Sequence, residues 1–459
     1  MTQMRQTAAV LEGRPAVAAQ PTDPAHPTPR DAQPILDLAL RIGEVLLSSG
    51  AGAADVSATM HSIAVAAGLR SADVDVTFTA LSMSYQAAYD EPALYLVRNV
   101  RHRVIDYDDL TRVDALVREL LTGEVDHVEA RTRLARITSS GHIRPRWAVD
   151  LGWGVMGLGV ALMLGGDWIV MAIAFFSAAG VDLLQRSMSR HRLPLFYQQV
   201  AGGLLATLLA VAVAATRVQV DPSLVVTASI IMLLSGIGFM GAVQDALTGF
   251  YLTAGARLLE VLLLTGGIIA GVSGGLTVAN MLHVPIALTP GAAGWSQLPV
   301  MAFGSGLSAA AFAFACYAPK RSLFPIGLIG AAGELVYAGM SVPGFGQAWA
   351  SAGAAVAIGV VSYSVAGRVR VPPLVVVVSA IVPLLPGLSI YRGLSLMSSG
   401  DSYGVLAMVT AAGIAISLAS GVILGEFIAQ PLKREARRLE SRLAGPRLVG
   451  PVRARAVKR

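Results

Sequence analysis

Residues 148–430 carry ten apolar stretches, whereas the segment in front of them, 34–145, mixes apolar and charged positions. A hydrocarbon core about 30 Å thick takes about 20 mostly apolar residues per helix. That length predicts spans over residues 148–164, 168–185, 195–215, 223–243, 257–281, 297–317, 322–340, 346–366, 372–392 and 404–428. The expected fold class is an α-helical polytopic membrane protein, with ten transmembrane helices behind a small α+β domain.

Within 34–145 the periodicity is that of a packed domain. Ile35, Leu38, Ile42, Val45 and Leu46 share one face of a helix over Pro34–Ser48. The run from Ser48 to Gly52 breaks it, and a second helix is expected up to Gly68. Val74–Ala80 and Leu94–Arg98 alternate as strands do. Two further helices are predicted over Leu110–Leu121 and Val125–Ile137. Residues 1–33, rich in Ala, Pro, Thr and Gln, read as a disordered tail and not as a secretory signal.

Composition supports the membrane reading. Of 459 residues, 54% are hydrophobic and 14% charged, against roughly a quarter charged in soluble domains; the mean hydropathy is +0.62. The 48 glycines suit helices that pack closely in lipid. A pI near 9.6 would ordinarily suggest nucleic acid. Here the tail 431–459 alone holds ten basic residues and two acidic ones, a net +8 against +6 for the whole chain. The basicity is a juxtamembrane anchor at anionic lipid, not a nucleic-acid surface.

Charge also predicts orientation. Alternate loops hold Arg186, Arg190, Arg192, Arg257, Lys320, Arg321, Arg368 and Arg370, and the opposite set only Arg217 and Arg392. Positive residues stay in the cytoplasm, so both termini are expected there, in a multi-pass protein of the cell membrane.

A repeat is legible too. Pro222-Ser-Leu-Val-Val-Thr-Ala-Ser229 aligns with Pro372-Pro-Leu-Val-Val-Val-Val-Ser379, and Ala178-Ala-Gly-Val-Asp182 echoes Ala331-Ala-Gly-Glu334 with the acids one residue apart. Both pairings join spans five apart. An odd offset reverses orientation, which predicts two inverted five-helix repeats, 148–281 and 297–428, an arrangement frequent in secondary transporters. Chance alignment of Val- and Leu-rich helices is the competing explanation.

Carboxylates inside apolar spans are the sharpest chemical signal, because an unpaired charge there costs several kcal/mol. Glu334 follows an uninterrupted apolar run; Asp182, Glu260 and Glu426 lie nearer span ends, where snorkelling or pairing with Arg257 or Lys433 is the plainer explanation. All four are candidate proton-coupling groups, since a desolvated carboxyl can exchange a proton near neutral pH. Helix breakers supply the second signal: Gly236 and Gly238 late in the fourth span, Pro383, Pro386 and Gly387 at the matching place in the ninth. Broken helices expose N–H and C=O groups that suit a zwitterion. Ser229 and Ser379 could bond a substrate hydroxyl, although a serine in a helix commonly bonds its own backbone.

Other chemistry is sparse. His61, His102 and His127 have no metal-ligand spacing, Cys316 is the chain's single cysteine, and no P-loop is present; no cofactor and no metal are expected. Asp106, Asp108 and Asp109 read as a solvated turn with a helix cap.

The order of motifs resembles a known family. Val45-Leu-Leu-Ser-Ser-Gly-Ala51, a helix ending Ala66-Ala-Gly-Leu69, the strand Val74–Ala80, Arg98, Asp109-Leu110 and Leu116–Glu124 follow one another ahead of ten spans. That order, over residues 34–430, resembles the threonine/serine exporter family. The resemblance implies export of threonine and serine driven by the proton motive force, and links split relatives to dicarboxylate export. It also implies Glu at the first helix break, where this chain has Gly52. The expected function is a proton-coupled secondary exporter of small amino acids and not an enzyme, with threonine, serine, protons and the lipid bilayer as partners. A dicarboxylate exporter, a passive channel and a hydrolase acting through the front domain are the alternatives. The oligomeric state stays open, a homo-oligomer included.

Overall fold

The computed structural model describes residues 29–443 apart from 89, 101–104, 217–220, 235, 285–294, 342–343, 345 and 399. The tails 1–28 and 444–459 lie outside the described residues, and with them most of both predicted tail segments.

The N-terminal domain consists of α1 (Pro29–Ser48), α2 (Ala53–Ala66), β1 (Ala72–Val76), β2 (Ala80–Tyr85), β3 (Leu94–Asn99), α3 (Tyr107–Thr122) and α4 (His127–Ser139). Its sheet is an antiparallel meander, with Val74 opposite Met83 and Met83 opposite Leu96. The apolar face of α1 is buried through Leu36, Leu38, Ala39 and Ile42, and α1 packs on β2 and β3. Two boundaries differ from the sequence reading. Helix α1 begins at Pro29 and buries Ala32 and Ile35, so the ordered domain starts before residue 34. The predicted strand Val74–Ala80 ends at Val76; Thr77 turns the chain, its N–H donating to the Ala80 carbonyl at 2.9 Å, and Leu81, Met83 and Tyr85 continue as a third, central strand.

Among the described residues ten helical units follow: α5 (Arg146–Met163), α6 (Trp168–Arg190), α7 (Leu195–Ala214), α8 (Pro222–Ile230) with α9 (Gly236–Leu247), α10 (Tyr251–Met281), α11 (Leu298–Ala315), α12 (Lys320–Ser341), α13 (Gln347–Val369), α14 (Pro373–Ile381) with α15 (Gly387–Ser398), and α16 (Tyr403–Leu443). Among the described residues eight of them are long and apolar enough to cross a membrane, and the bent pair α8–α9 makes a ninth. The sequence reading expected ten. The exception is α5, which carries Arg146 and Asp150 in its first turns and four glycines over its 18 residues. It is nonetheless built into the bundle, packed along α11 and α6. Helix α16 continues through residues 431–443, so the start of the basic tail is helical. Phe176, Leu252, Phe303 and Phe324 stand exposed on the outside, as lipid-facing side chains do.

The two broken helices share a plan. Each is a nine-residue helix, a three-residue 3-10 turn (Ile231–Leu233 and Val382–Leu384), an extended residue (Leu234 and Leu385) and a twelve-residue helix. Packing partners correspond as well. Helix α7 lies along α10 as α13 lies along α16, α5 on α6 as α11 on α12, and α9 on α10 as α15 on α16. Close backbone approach makes the first of these pairs possible: a Cβ on Gly203 would stand 2.9 Å from the Ile268 carbonyl, and one on Gly359 2.7 Å from that of Val422.

Candidate functional site

Where the two breaks meet, Gly387 of α15 packs on Thr227 and Ile231 beside the first break. A cavity of about 540 Å³ lies against them, walled by Ile231–Leu234 and Gly238–Met240 on one side and by Ile381, Val382 and Leu385 on the other. Its charged and amide lining comes from Arg146, Asp182, Arg186, Gln199, Arg257 and Glu260, and Leu47, Ser48, Gly50 and Ile105 of the N-terminal domain also line it. The volume is that of an ordinary small-molecule site.

Each polar group is held for a local reason. Asp182 and Arg186 are one turn apart on α6, and Arg186 reaches Asp182 and also Asp150 on α5, so one guanidinium serves two carboxylates. Gln199 of α7 donates to the Leu233 carbonyl at 3.3 Å, one of the backbone acceptors that the first break frees. Asp245 of α9 and Arg257 of α10 form an ion pair at 3.0 Å, with Asp245 fully buried and Arg257 5% exposed.

The N-terminal domain docks on both halves. On the first, Ala53 N–H donates to Asp245 at 2.6 Å, Arg257 donates to the Ala51 carbonyl at 2.8 Å, and Thr253 donates to the Val76 carbonyl at 3.1 Å. On the second, Tyr107 N–H donates to the Cys316 carbonyl at 3.0 Å, and Arg144 grips the Phe314 and Ala318 carbonyls. Tyr107 is fully buried in the membrane core, its hydroxyl close to Ser379. The acidic turn beside it is a cap, with Asp106 accepting from the N–H groups of Asp108 and Asp109. It is not solvated, because Asp106 and Asp108 are buried and Asp106 holds His142, whose ring stacks on Tyr317. Burial, with Asp106 adding to it, pushes the Asp109 carboxyl up to about 6.

The residues singled out from the sequence fall into two groups. Asp182, Glu260 and Gly238 line the cavity. Glu334 lies outside that lining, 3% exposed on α12, with no hydrogen-bond or ion-pair partner among the described residues; its neighbour Gly333 packs against Ile358 and comes near Leu384 of the second 3-10 turn. Glu426 stands on α16 where that helix meets Gly359 of α13. Ser229 and Ser379 are fully buried and donate to their own helices, to Val225 and Val375, each at 2.7 Å. Pro383 and Gly387 are buried at the second break with Pro386 between them, and Gly236 opens α9. The sequence reading missed Gln199, Arg186, Asp150, Asp245 and Arg257 as a set. Asp245 falls two residues past the end of the fourth predicted span, 223–243, so the signal of a charge inside an apolar span does not reach it.

A multi-pass bundle with two broken helices around a cavity, and an N-terminal domain docked on it, has the build of a membrane transporter. Comparison with known proteins narrows the class. A family described as "Putative threonine/serine exporter" matches residues 37–279, and one described as "Threonine/Serine exporter, ThrE" matches residues 301–428. The chain is 38% identical over 424 residues to a "Probable threonine/serine exporter" of Mycobacterium tuberculosis (strain ATCC 25618 / H37Rv), covering 90% of this chain and 80% of that one. It is 34% identical over 446 residues to the "Threonine/serine exporter" of Corynebacterium glutamicum, covering 94% and 91%. No solved structure matches. The chain belongs to the threonine/serine exporter family.

Proposed function

We propose that this protein exports threonine and serine from the cytoplasm and draws on the proton motive force to do so. The observation that carries the reading is the 540 Å³ cavity between the two broken helices. Unwound segments there offer backbone groups to an ammonium and a carboxylate at once. In this reading substrate binds beside Gly236, Gly238, Pro383, Pro386 and Gly387, with Ser229 and Ser379 behind the breaks. Glu334 carries the proton; Asp182, Glu260 and Glu426 are the other carboxyls able to take part.

The matched plan of the two breaks and the corresponding packing partners support two inverted five-helix repeats, with α5 counted as the tenth span. Rocking of one repeat against the other would expose the cavity alternately to each side. The N-terminal domain docks on the connections α9–α10 and α11–α12, which belong to the set rich in basic residues. That agreement supports a cytoplasmic location for the domain and both termini.

The test is uptake of labelled threonine into inside-out vesicles holding the full chain, with an acid interior. Uptake above that of empty vesicles, abolished by an uncoupler, is the expected result. If neither threonine nor serine moves with or without the gradient, the substrate assignment fails, and dicarboxylates are the next candidates.

A further inference from the structure

The turn between α1 and α2 is held by bonds that the transport reading does not itself require. Leu47, Ser48 and Gly50 form part of the cavity wall. The next residues, Ala51 and Ala53, are fixed by a single ion pair: Arg257 donates to the Ala51 carbonyl at 2.8 Å, and Asp245 accepts from Ala53 N–H at 2.6 Å. Ala53 is the first residue of α2, so the Asp245 carboxylate also sits at the positive end of that helix. Beside it, Gln244 donates to Asp55 at 3.1 Å, and a Cβ on Gly52 would meet the Gln244 side chain at 2.9 Å.

We propose that the α1–α2 turn is the inner gate of the cavity, and that the Asp245–Arg257 pair is its latch. The inference rests on reading this cavity as the transport cavity. Both charges are buried with the turn in place. With the turn in place, neighbouring backbone groups of one loop bond each member of the pair, Ala53 N–H to Asp245 and the Ala51 carbonyl to Arg257. Lifting the turn removes those bonds but admits water to both charges, so opening replaces one set of partners by another and leaves no charge bare. A buried pair with such a choice makes a two-position device. The pair stands on α9 and α10, directly after the first break, and Arg257 itself lines the cavity. Movement of the broken helix therefore pulls on the gate. The second dock, through Tyr107 and Arg144, keeps the domain attached while the turn lifts.

Cys316 allows a test that requires no amino acid to move. It is the chain's single cysteine, it lines the cavity, and it is 4% exposed. In the purified full chain a charged maleimide should label it slowly, with Cys316→Ser as the blank. Asp245→Ala and Arg257→Ala should each speed labelling by at least about tenfold, because each leaves its partner charge unpaired under the turn. Labelling at the wild-type rate in both variants would overturn the proposal. A second arm guards against misfolded variants: Asp55→Cys with Gln244→Cys at the rim, in the Cys316→Ser background, bridged by a short bis-methanethiosulfonate, which forms a disulfide with each thiolate and releases methanesulfinate. Bridging should stop threonine uptake and reduction should restore it. Unchanged uptake after bridging contradicts the gate, whereas no uptake even when reduced contradicts the export reading instead.

Discussion

The two halves of the membrane region share a plan and differ in where they keep their charge. In the first half the carboxylate of α6, Asp182, shares Arg186 with Asp150 and faces the cavity. In the second half the corresponding carboxyl, Glu334, is buried on α12 with no such partner among the described residues and lies off the cavity. The breaks differ in the same sense. The first has an amide, Gln199, bonded to its freed carbonyl at Leu233, and it is bent by 52°. The second is buried through Val382, Pro383 and Leu384 and runs as one 25-residue span. A shared backbone plan thus carries two chemistries, a half whose second-helix carboxylate is charge-paired at the cavity and a half whose matching carboxyl, Glu334, lies in an apolar setting. In the reading proposed here the first handles substrate and the second the proton.

That division gives predictions in order of size. Glu334→Gln should remove gradient-driven threonine accumulation, by at least about tenfold, while exchange without a gradient persists, because glutamine keeps the shape and cannot take up a proton. Asp182→Asn should act differently. It lessens the negative charge around Arg186 at the cavity, so KM for threonine should rise by about tenfold, equivalent to about 1.4 kcal/mol, while accumulation still follows the gradient. If the two variants behave alike, the comparison is broken. Gln199→Ala should slow transport by severalfold, about the worth of one hydrogen bond to a freed carbonyl near 1 kcal/mol; equal rates in variant and wild type would show that the break holds without it.

The smallest effect concerns the dock on the second half. Asp109 sits in the capped turn beside Tyr107, its carboxyl pushed up to about 6 by burial first and Asp106 second. A folded-state value above the unfolded one means that the folded protein holds the proton more tightly. Stability then falls as pH rises from about 4 to about 6. Asp109→Asn should raise thermal stability at pH 7.5, by on the order of 1 kcal/mol after solvent screening, and leave it unchanged near pH 4. A variant less stable than wild type at pH 7.5 would contradict this.

Much of this plan was legible in the sequence. Apolar length gave most of the helices, glycine and proline marked both breaks, and Glu334 stood out because nothing charged surrounds it in the chain. The third strand was missed although Leu81, Met83 and Tyr85 alternate with serines, because the turn at Thr77 contains no Gly or Pro. The cavity chemistry was hidden for another reason. Arg186 meets Asp150 across 36 residues, Gln199 meets Leu233 across 34, and Ala53 meets Asp245 across 192. Spacing along one helix cannot reveal such pairs; they exist only once the helices pack. Gly52 illustrates the limit from the other side. Where the family resemblance implies Glu, this chain sets a glycine against Gln244, and the departure has a visible consequence only in three dimensions.

The most direct test of this division is proton movement driven by threonine, read with a pH-sensitive dye trapped in proteoliposomes that contain the full chain. The account predicts that threonine added to the wild-type protein moves protons, that Asp182→Asn still does so at higher threonine, and that Glu334→Gln moves threonine without protons. Wild-type proton movement in Glu334→Gln would contradict it.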